Sequence, residues 1–323
     1  MYVRRTANIP KENSISELKV ITLGGIQQWM TIRGENKRLP VLLFLHGGPG
    51  TSQMAFISDY QKELEAHFVV VNWDQRGSGL SYTKEVTKES MTINQLLADT
   101  IELTNYLREK FQQDKIYVIG YSWGSILGLL AIHDRPELYH HYIGVSQVIG
   151  MGRVEKISYH LLLEKAKKHK HQKAVNELTN IGKPPWRNIK YDRTYRRYLE
   201  IFKRGISFDG KLMGNLVKKF LASSEYTLLD TIRFLKGQRF STTCLKDEMR
   251  RLDLSEKILH VDVPFTLLMG RYDLITPPYV TKDWFDSVQA KVKKWVWFEH
   301  SAHSPLFEEN QKFIELVLTE TQC

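Results

Sequence analysis

The chain of 323 residues contains only two cysteines, Cys244 and Cys323. Two are too few for a disulfide framework, and neither has the neighbours of a zinc site. A reducing compartment is the default for such a chain. The start, Met1-Tyr2-Val3-Arg4-Arg5-Thr6, is basic, but no apolar stretch follows it as in a signal peptide. No run approaches the roughly 18 uninterrupted apolar residues that a membrane span requires. Internal repeats and low-complexity tracts are absent. The expectation is a cytoplasmic protein with no membrane span.

Hydrophobic residues make up 42% of the chain and charged residues 25%, which supports a sizeable core and excludes a mostly disordered chain. At roughly 150 residues per domain the length suggests two domains, although large α/β folds reach this size as one. The net charge of +10 is unevenly placed. Residues 153–239 hold 21 Lys and Arg against 8 Asp and Glu, and the remainder holds 25 against 28. Solvated helical faces are the simplest explanation, with attraction of acidic substrates next and nucleic-acid or membrane-surface binding last. No recognised nucleic-acid module accompanies the charge, so no nucleic-acid partner is expected.

Apolar runs over 18–23 and 26–32, separated by Gly24-Gly25, predict a hairpin. Val41 to Leu45 is apolar throughout, as expected of a strand buried on both faces. Further strands are predicted over 68–73, 116–119, 142–145, 265–269 and 295–298. Helices are predicted over 56–66, over 92–111 with Thr92 as N-cap, and over 125–133. This alternation predicts an α/β fold with a mainly parallel sheet covered on both faces. It is interrupted between 150 and 250, where a basic stretch rich in helix formers predicts a helical cap. The core is then formed by 1–149 and 251–323, with Val263-Pro264 marking re-entry.

The chemistry centres on Gly120-Tyr121-Ser122-Trp123-Gly124. This is G-x-S-x-G placed between a predicted strand and a predicted helix, the context that gives the pattern meaning. Such a turn lifts Ser122 Oγ clear of the sheet, and small residues on either side let backbone pass close by. The bland alternative is a simple strand-to-helix turn. A serine hydroxyl needs a base held by a third group. In this fold class the acid and then the histidine follow on loops after later strands. Asp273 fits the acid in Gly270-Arg271-Tyr272-Asp273, and His303 fits the base just beyond the strand ending at Phe298. His300 is the rival base, with less loop to reach Ser122. Asp262 is the rival acid, but it precedes its strand. A tetrahedral oxyanion needs two N–H donors. Trp123 is expected to supply one, and the Gly-rich loop His46-Gly47-Gly48-Pro49-Gly50 the other. Gly48 is the choice there, with Gly47 second and a substrate contact. No Lys-Ser/Thr follows this loop as in a phosphate-binding P-loop.

Other residues carry blander readings. His160, His169 and His171 lie in a Lys-rich stretch and are expected at the surface rather than on a metal. Tyr191, Tyr195, Tyr198 and Phe202 recur at helical spacing and are expected to pack a cap helix. Trp186 either lines a pocket or closes the cap.

Five segments fall in register with one family: His46-Gly47-Gly48-Pro49-Gly50, Asp74-Gln75-Arg76-Gly77-Ser78-Gly79, Gly120 to Ser125, Gly270 to Asp273 and Ser301-Ala302-His303. Together they resemble the proline iminopeptidase-like serine peptidases of the α/β-hydrolase fold, over about residues 18 to 315. The resemblance implies a helical cap and release of a free N-terminal residue, often proline, from short peptides. It also implies acidic side chains that fix the substrate's α-ammonium. One of these matches Glu225 in Ser224-Glu225-Tyr226-Thr227, where an acid opening a helix is the plainer explanation. A second acid can follow the catalytic aspartate, but that position here is Leu274. Glu155 and Glu200 are the open alternatives.

The expected function is that of a serine hydrolase using Ser122, His303 and Asp273 on a short-peptide or small-molecule substrate. No metal or organic cofactor is required. An esterase or amidase acting without an amine requirement is the second reading. A non-catalytic ligand receptor is the reading from another class, and the complete Ser-Asp-His set argues against it.

Overall fold

The computed structural model describes residues 4–321; Met1 to Val3 of the basic start, and Cys323, lie outside the described residues. Ten strands form. They are β1 (Ile15–Leu23), β2 (Ile26–Gly34), β3 (Val41–Leu45), β4 (Val69–Trp73), β5 (Ile116–Tyr121), β6 (Tyr139–Val145), β7 (His260–Val261), β8 (Phe265–Gly270), β9 (Gln289–Ala290) and β10 (Lys293–Phe298). Eight make one sheet in the order β1-β2-β4-β3-β5-β6-β8-β10, and β7 pairs with β9 apart from it. The β1–β2 hairpin and the β2–β4 edge are antiparallel, and every pair from β4 to β10 is parallel.

The helices are α1 (Ser58–Gln61), α2 (Ile93–Phe111), α3 (Trp123–Asp134), α4 (Met151–Lys168), α5 (Gln172–Ile181), α6 (Ile189–Ile201), α7 (Leu212–Ala222), α8 (Leu228–Arg251), α9 (Leu254–Lys257), α10 (Pro278–Ser287), α11 (Pro305–Glu308) and α12 (Asn310–Thr321). All five residues of β3 and all five of β4 are buried, because helices cover both faces of a parallel sheet. One apolar cluster gathers α2, α3 and one sheet face, including Leu43, Val71, Leu103 and Leu127. A second, with Phe44, Ile119, Phe298 and Phe313, lies against the other face.

Most predicted elements form within a few residues of their predicted bounds, and Thr92 caps α2 by accepting from the Gln95 N–H at 3.1 Å. The predicted helix over 56–66 shortens to α1 and then tightens into a 3-10 turn over 62–66. Two buried side-chain anchors set that tighter path: Gln61 accepts from Asn72, and Glu65 accepts from Arg33 at 2.6 Å.

Between β6 and β8 the chain runs through α4 to α9 and then β7. A third apolar cluster, with Tyr159, Leu178, Trp186, Tyr195 and Tyr198, holds α4, α5 and α6 together. Trp186 is buried and donates to the Gly182 carbonyl at 2.9 Å. Tyr195 and Tyr198 are buried in that cluster, whereas Tyr191 is exposed. His171 caps α5, its Nδ1 accepting from the Ala174 N–H at 3.2 Å. Leu274 and Ile275, just past Asp273, pack against the same cluster.

Candidate active site

Ser122 occupies the turn between β5 and α3 with φ 52° and ψ −116°. A positive φ is costly for a side-chain-bearing residue and persists only where the surroundings enforce it. The flanking glycines explain how. A Cβ on Gly120 would meet the Gly124 carbonyl at 2.6 Å, and one on Gly124 would meet the Leu45 carbonyl at 2.1 Å. The Ser122 N–H also donates to the Val145 carbonyl at 2.9 Å. The hydroxyl thus stands at the end of the parallel strands.

Three side chains meet there. His303 Nε2 lies 2.8 Å from Ser122 Oγ, and His303 Nδ1 lies 2.8 Å from Asp273 Oδ2. Asp273 and His303 are buried, and Ser122 is half-buried. Asp273 Oδ1 accepts from the Ile275 and Thr276 N–H groups at 2.8 and 2.9 Å, and Oδ2 accepts from Thr276 Oγ1 at 2.6 Å. These donors fix the carboxylate plane so that Oδ2 faces the imidazole. The rivals lie elsewhere. His300 is exposed, and Asp262 is exposed and pairs with His260 at 2.7 Å.

His303 is held from every side. Its N–H donates to the Gly205 carbonyl at 3.2 Å, its carbonyl accepts from Ser146 Oγ at 2.9 Å, and its ring packs on Tyr121 at 5.6 Å. The Leu274 N–H donates to the Arg204 carbonyl at 3.0 Å. The α6–α7 linker therefore grips the Asp273 loop and the His303 loop at adjacent residues. Phe208 in that linker stacks on Tyr272 at 4.3 Å, and its N–H donates to Glu308 Oε1 at 2.5 Å. Burial pushes the Glu308 carboxyl up, against N–H bonds from Phe208, Ala302 and Ser304.

The Gly-rich loop lies directly against Ser122. A Cβ on Gly47 would meet Ser122 Cβ at 3.4 Å, and Gly48 has φ +128°, a conformation that favours glycine. His46 and Gln75, to which sequence reading gave no individual role, organise this loop. The Gln75 N–H donates to His46 Nε2 at 3.2 Å, so the ring proton sits on Nδ1 and points at the Gly47 carbonyl, 2.7 Å away. Burial lowers the His46 pKa to about 4, so the ring is neutral at neutral pH. With the Gly47 carbonyl held, the Gly48 N–H of the same planar peptide is directed the opposite way. Gln75 also donates to the His46 carbonyl at 3.1 Å and accepts from Trp123 Nε1 at 2.8 Å. One amide thus bridges the Gly-rich loop and the residue after Ser122. The only signal in the sequence was the Asp74-Gln75-Arg76 segment itself.

The rest of that segment is anchored too. Arg76 and Asp99 form a buried two-pronged ion pair at 2.7 and 3.0 Å. Asp74 accepts from Ser52 Oγ, from the Tyr226 hydroxyl and from the Leu80 N–H. Burial raises its pKa to about 6 despite those bonds.

Glu225 is buried immediately before Tyr226 and makes no hydrogen bond to Ser122, His303 or Asp273. Its Oε2 accepts from Ser223 Oγ at 2.9 Å. It lies two residues before Thr227, the N-cap of α8, whose capping box is completed by Asp230. Tyr226 lies 2.9 Å from Ser52 Oγ, which sets this segment beside the Gly-rich loop. The alternatives for a second acid are engaged. Glu155 pairs with Arg250 at 2.8 Å, and Glu200 accepts from the Ile206 N–H at 2.9 Å. Among the described residues no helix is long and apolar enough to cross a membrane.

The α/β-hydrolase fold family matches residues 40–310, most of the chain and all of the site just described. The chain belongs to that family. Over 306 residues this α/β hydrolase is 39% identical to the Bacillus subtilis (strain 168) protein named "Probable aminopeptidase YbaC", covering 94% of this chain and 96% of the relative. It is 29% identical over 306 residues to a proline iminopeptidase of Clostridioides difficile (strain 630), covering 92% of this chain and 94% of the relative. The crystal structure of a proline iminopeptidase-related protein from Thermus thermophilus superposes with a TM-score of 0.66 at 19% identity, covering 95% of this chain and 97% of that one. At that identity the superposition speaks for the fold alone. The chain is a hydrolase with aminopeptidase-like relatives.

Proposed function

We propose that this α/β hydrolase is a serine aminopeptidase that releases an N-terminal residue, proline among them, from short peptides. The observation that carries the reading is the continuous line Ser122 Oγ, His303, Asp273, with 2.8 Å at each step. Asp273 accepts from Nδ1 and leaves Nε2 free to act as the base. His303 takes the Ser122 proton as Oγ attacks the scissile carbonyl. The N–H groups of Gly48 and Trp123 hold the resulting oxyanion. His303 then protonates the departing amine, and water activated by the same nitrogen hydrolyses the acyl-enzyme. We read residues 150–250 as a cap over a core of 1–149 and 251–323, with the α6–α7 linker joining the two at the base.

Glu225 supports the amine requirement. Serine hydroxyls bind its buried carboxylate, no ion pair forms on it among the described residues, and a substrate ammonium would supply a cation. Leu274 favours a second reading, an esterase or amidase, because it packs into the apolar cluster of α4 to α6 where a second acid would otherwise stand.

Hydrolysis of proline, alanine and leucine arylamides beside their N-acetylated counterparts separates the two. Turnover of the free-amine forms alone is expected. Equal turnover of acetylated and free forms would move the protein to the esterase or amidase reading.

A further inference from the structure

Helices α7 and α8 present an apolar face to solvent. Among the described residues, seven of the thirteen exposed large apolar side chains lie between 213 and 235, each 49% to 79% exposed. Met213, Val217 and Leu221 recur every four residues and form one stripe on α7. Leu228, Ile232 and Leu235, spaced four and three residues apart, form a stripe on α8, with Leu229 beside them. A cleft of about 390 Å³ opens between the helices, bordered by Phe220, Leu221, Leu228 and Leu229. Both helices already bury another face: Leu212 and Leu216 on α7, and Gly237, Ser241 and Leu245 on α8. The exposed stripes are additional to that packing.

The exposed charges within residues 211–239 have one sign. Residues 211–239 contain Lys211, Lys218, Lys219, Arg233, Lys236 and Arg239. Their two acids, Glu225 and Asp230, are buried, and Asp230 pairs with Arg4 at 2.9 Å. Lys219 is held by Asp59 from outside the segment. Lys236 and Arg239 continue the α8 stripe four and seven residues beyond Ile232. The surface is therefore aliphatic with a border that is cationic within residues 211–239, Asp59 beside Lys219 being the acid that reaches it from outside.

That pattern selects the occupant. A second copy docking through the same face would set cations against cations. A nucleic acid would meet exposed aliphatic side chains with no aromatic platform among them. An anionic bilayer surface satisfies both parts, taking the aliphatic side chains at the headgroup boundary and the cations at its phosphates. We propose that the α7–α8 face docks this protein reversibly on anionic lipid surfaces. The docking is independent of the hydrolytic reading.

Sedimentation of the full chain with vesicles tests it. The expected result is binding to vesicles of equal parts phosphatidylglycerol and phosphatidylcholine, weak binding to phosphatidylcholine alone, and loss of binding as salt rises. Leu228→Ser with Leu229→Ser, and separately Lys236→Glu with Arg239→Glu, should each weaken binding at least about ten-fold. Circular dichroism and the thermal midpoint should stay at the wild-type values, because all four side chains lie on the outward face. Wild-type protein that stays in the supernatant with anionic vesicles would overturn the proposal. So would binding that both pairs of substitutions leave unchanged. A wild-type dimer by light scattering that both pairs dissociate would instead assign the face to a second copy.

Discussion

The main-chain N–H of His303 donates to the carbonyl of Gly205 at 3.2 Å, and one residue earlier Arg204 accepts from Leu274, the neighbour of Asp273. The linker between α6 and α7 thus contacts the backbone at His303 and beside Asp273. The 2.8 Å steps from Ser122 to His303 and from His303 to Asp273 join loops that are also tied directly, by the Tyr272 N–H to the Ser301 carbonyl at 3.0 Å.

Phe208 is the place to test what that linker contributes, because its ring stacks on Tyr272 rather than touching the reacting groups. Phe208→Ala should lower kcat roughly three- to ten-fold with KM little changed. Phe208→Tyr, which keeps the stacked face, should restore it. Steady-state kinetics on an arylamide reads both. An equal loss in both variants would show that the linker does not position the base.

Gln75 joins the Gly-rich loop to Trp123. Gln75→Leu leaves the His46 carbonyl and the Trp123 indole N–H buried without partners, at about 1–3 kcal/mol for each. Urea denaturation should show a stability loss on that scale. Because oxyanion donors act mainly in the transition state, kcat should fall on the order of ten-fold while KM holds.

Two buried groups give stability opposing pH slopes. Asp74 is raised from 3.8 to about 6 by burial, so the folded state holds its proton more tightly than the unfolded chain. Its contribution is full below about pH 4 and is lost as pH rises through 6. His46 is lowered from 6.5 to about 4 by burial, so the unfolded chain binds the extra proton. Its contribution is full above about pH 6.5 and is lost as pH falls through 4. The two nearly cancel in the wild type. Asp74→Asn should unmask stability that rises between pH 4 and 6.5, and His46→Gln should unmask stability that falls between pH 4 and 6. Each limb is worth on the order of 3 kcal/mol, and urea midpoints at half-unit pH steps would reveal them. A flat difference between wild type and either variant contradicts the assignment.

Glu225→Gln removes the charge that would hold a substrate ammonium and keeps the side-chain shape. Turnover of free-amine arylamides should drop roughly ten- to a hundred-fold, the scale of one hydrogen bond to a charged group. p-Nitrophenyl acetate hydrolysis should be unaffected. Equal losses on both substrates would remove Glu225 from amine recognition.

Much of the architecture was legible because its signals are local. Val41 to Leu45 is continuously apolar because both its faces are covered, and Gly120 and Gly124 are glycines because backbone passes within 2.6 Å of where a Cβ would sit. Ser122, Asp273 and His303 could be picked out because each follows a predicted strand at the same sheet edge. The shortening of the helix over 56–66 was not legible, since its anchors Arg33 and Asn72 lie on other strands. Nor was the two-stranded β7–β9 pair, whose two-residue strands are too short for any periodicity. The bridging role of Gln75 rests on contacts with residues 29 and 48 positions away. Leu274 was marked by resemblance as the site of a missing acid, but its packing against α4 to α6 required the assembled chain.

The most direct measurement is labelling of the native protein by a fluorophosphonate, followed by peptide mass mapping, beside arylamide turnover of Ser122→Ala. A nucleophilic Ser122 predicts one adduct, on the peptide carrying Gly120 to Gly124, and a turnover loss of about 10⁴-fold or more in the variant. A label on another residue, or a variant that retains turnover, would contradict the assignment of Ser122 as the nucleophile.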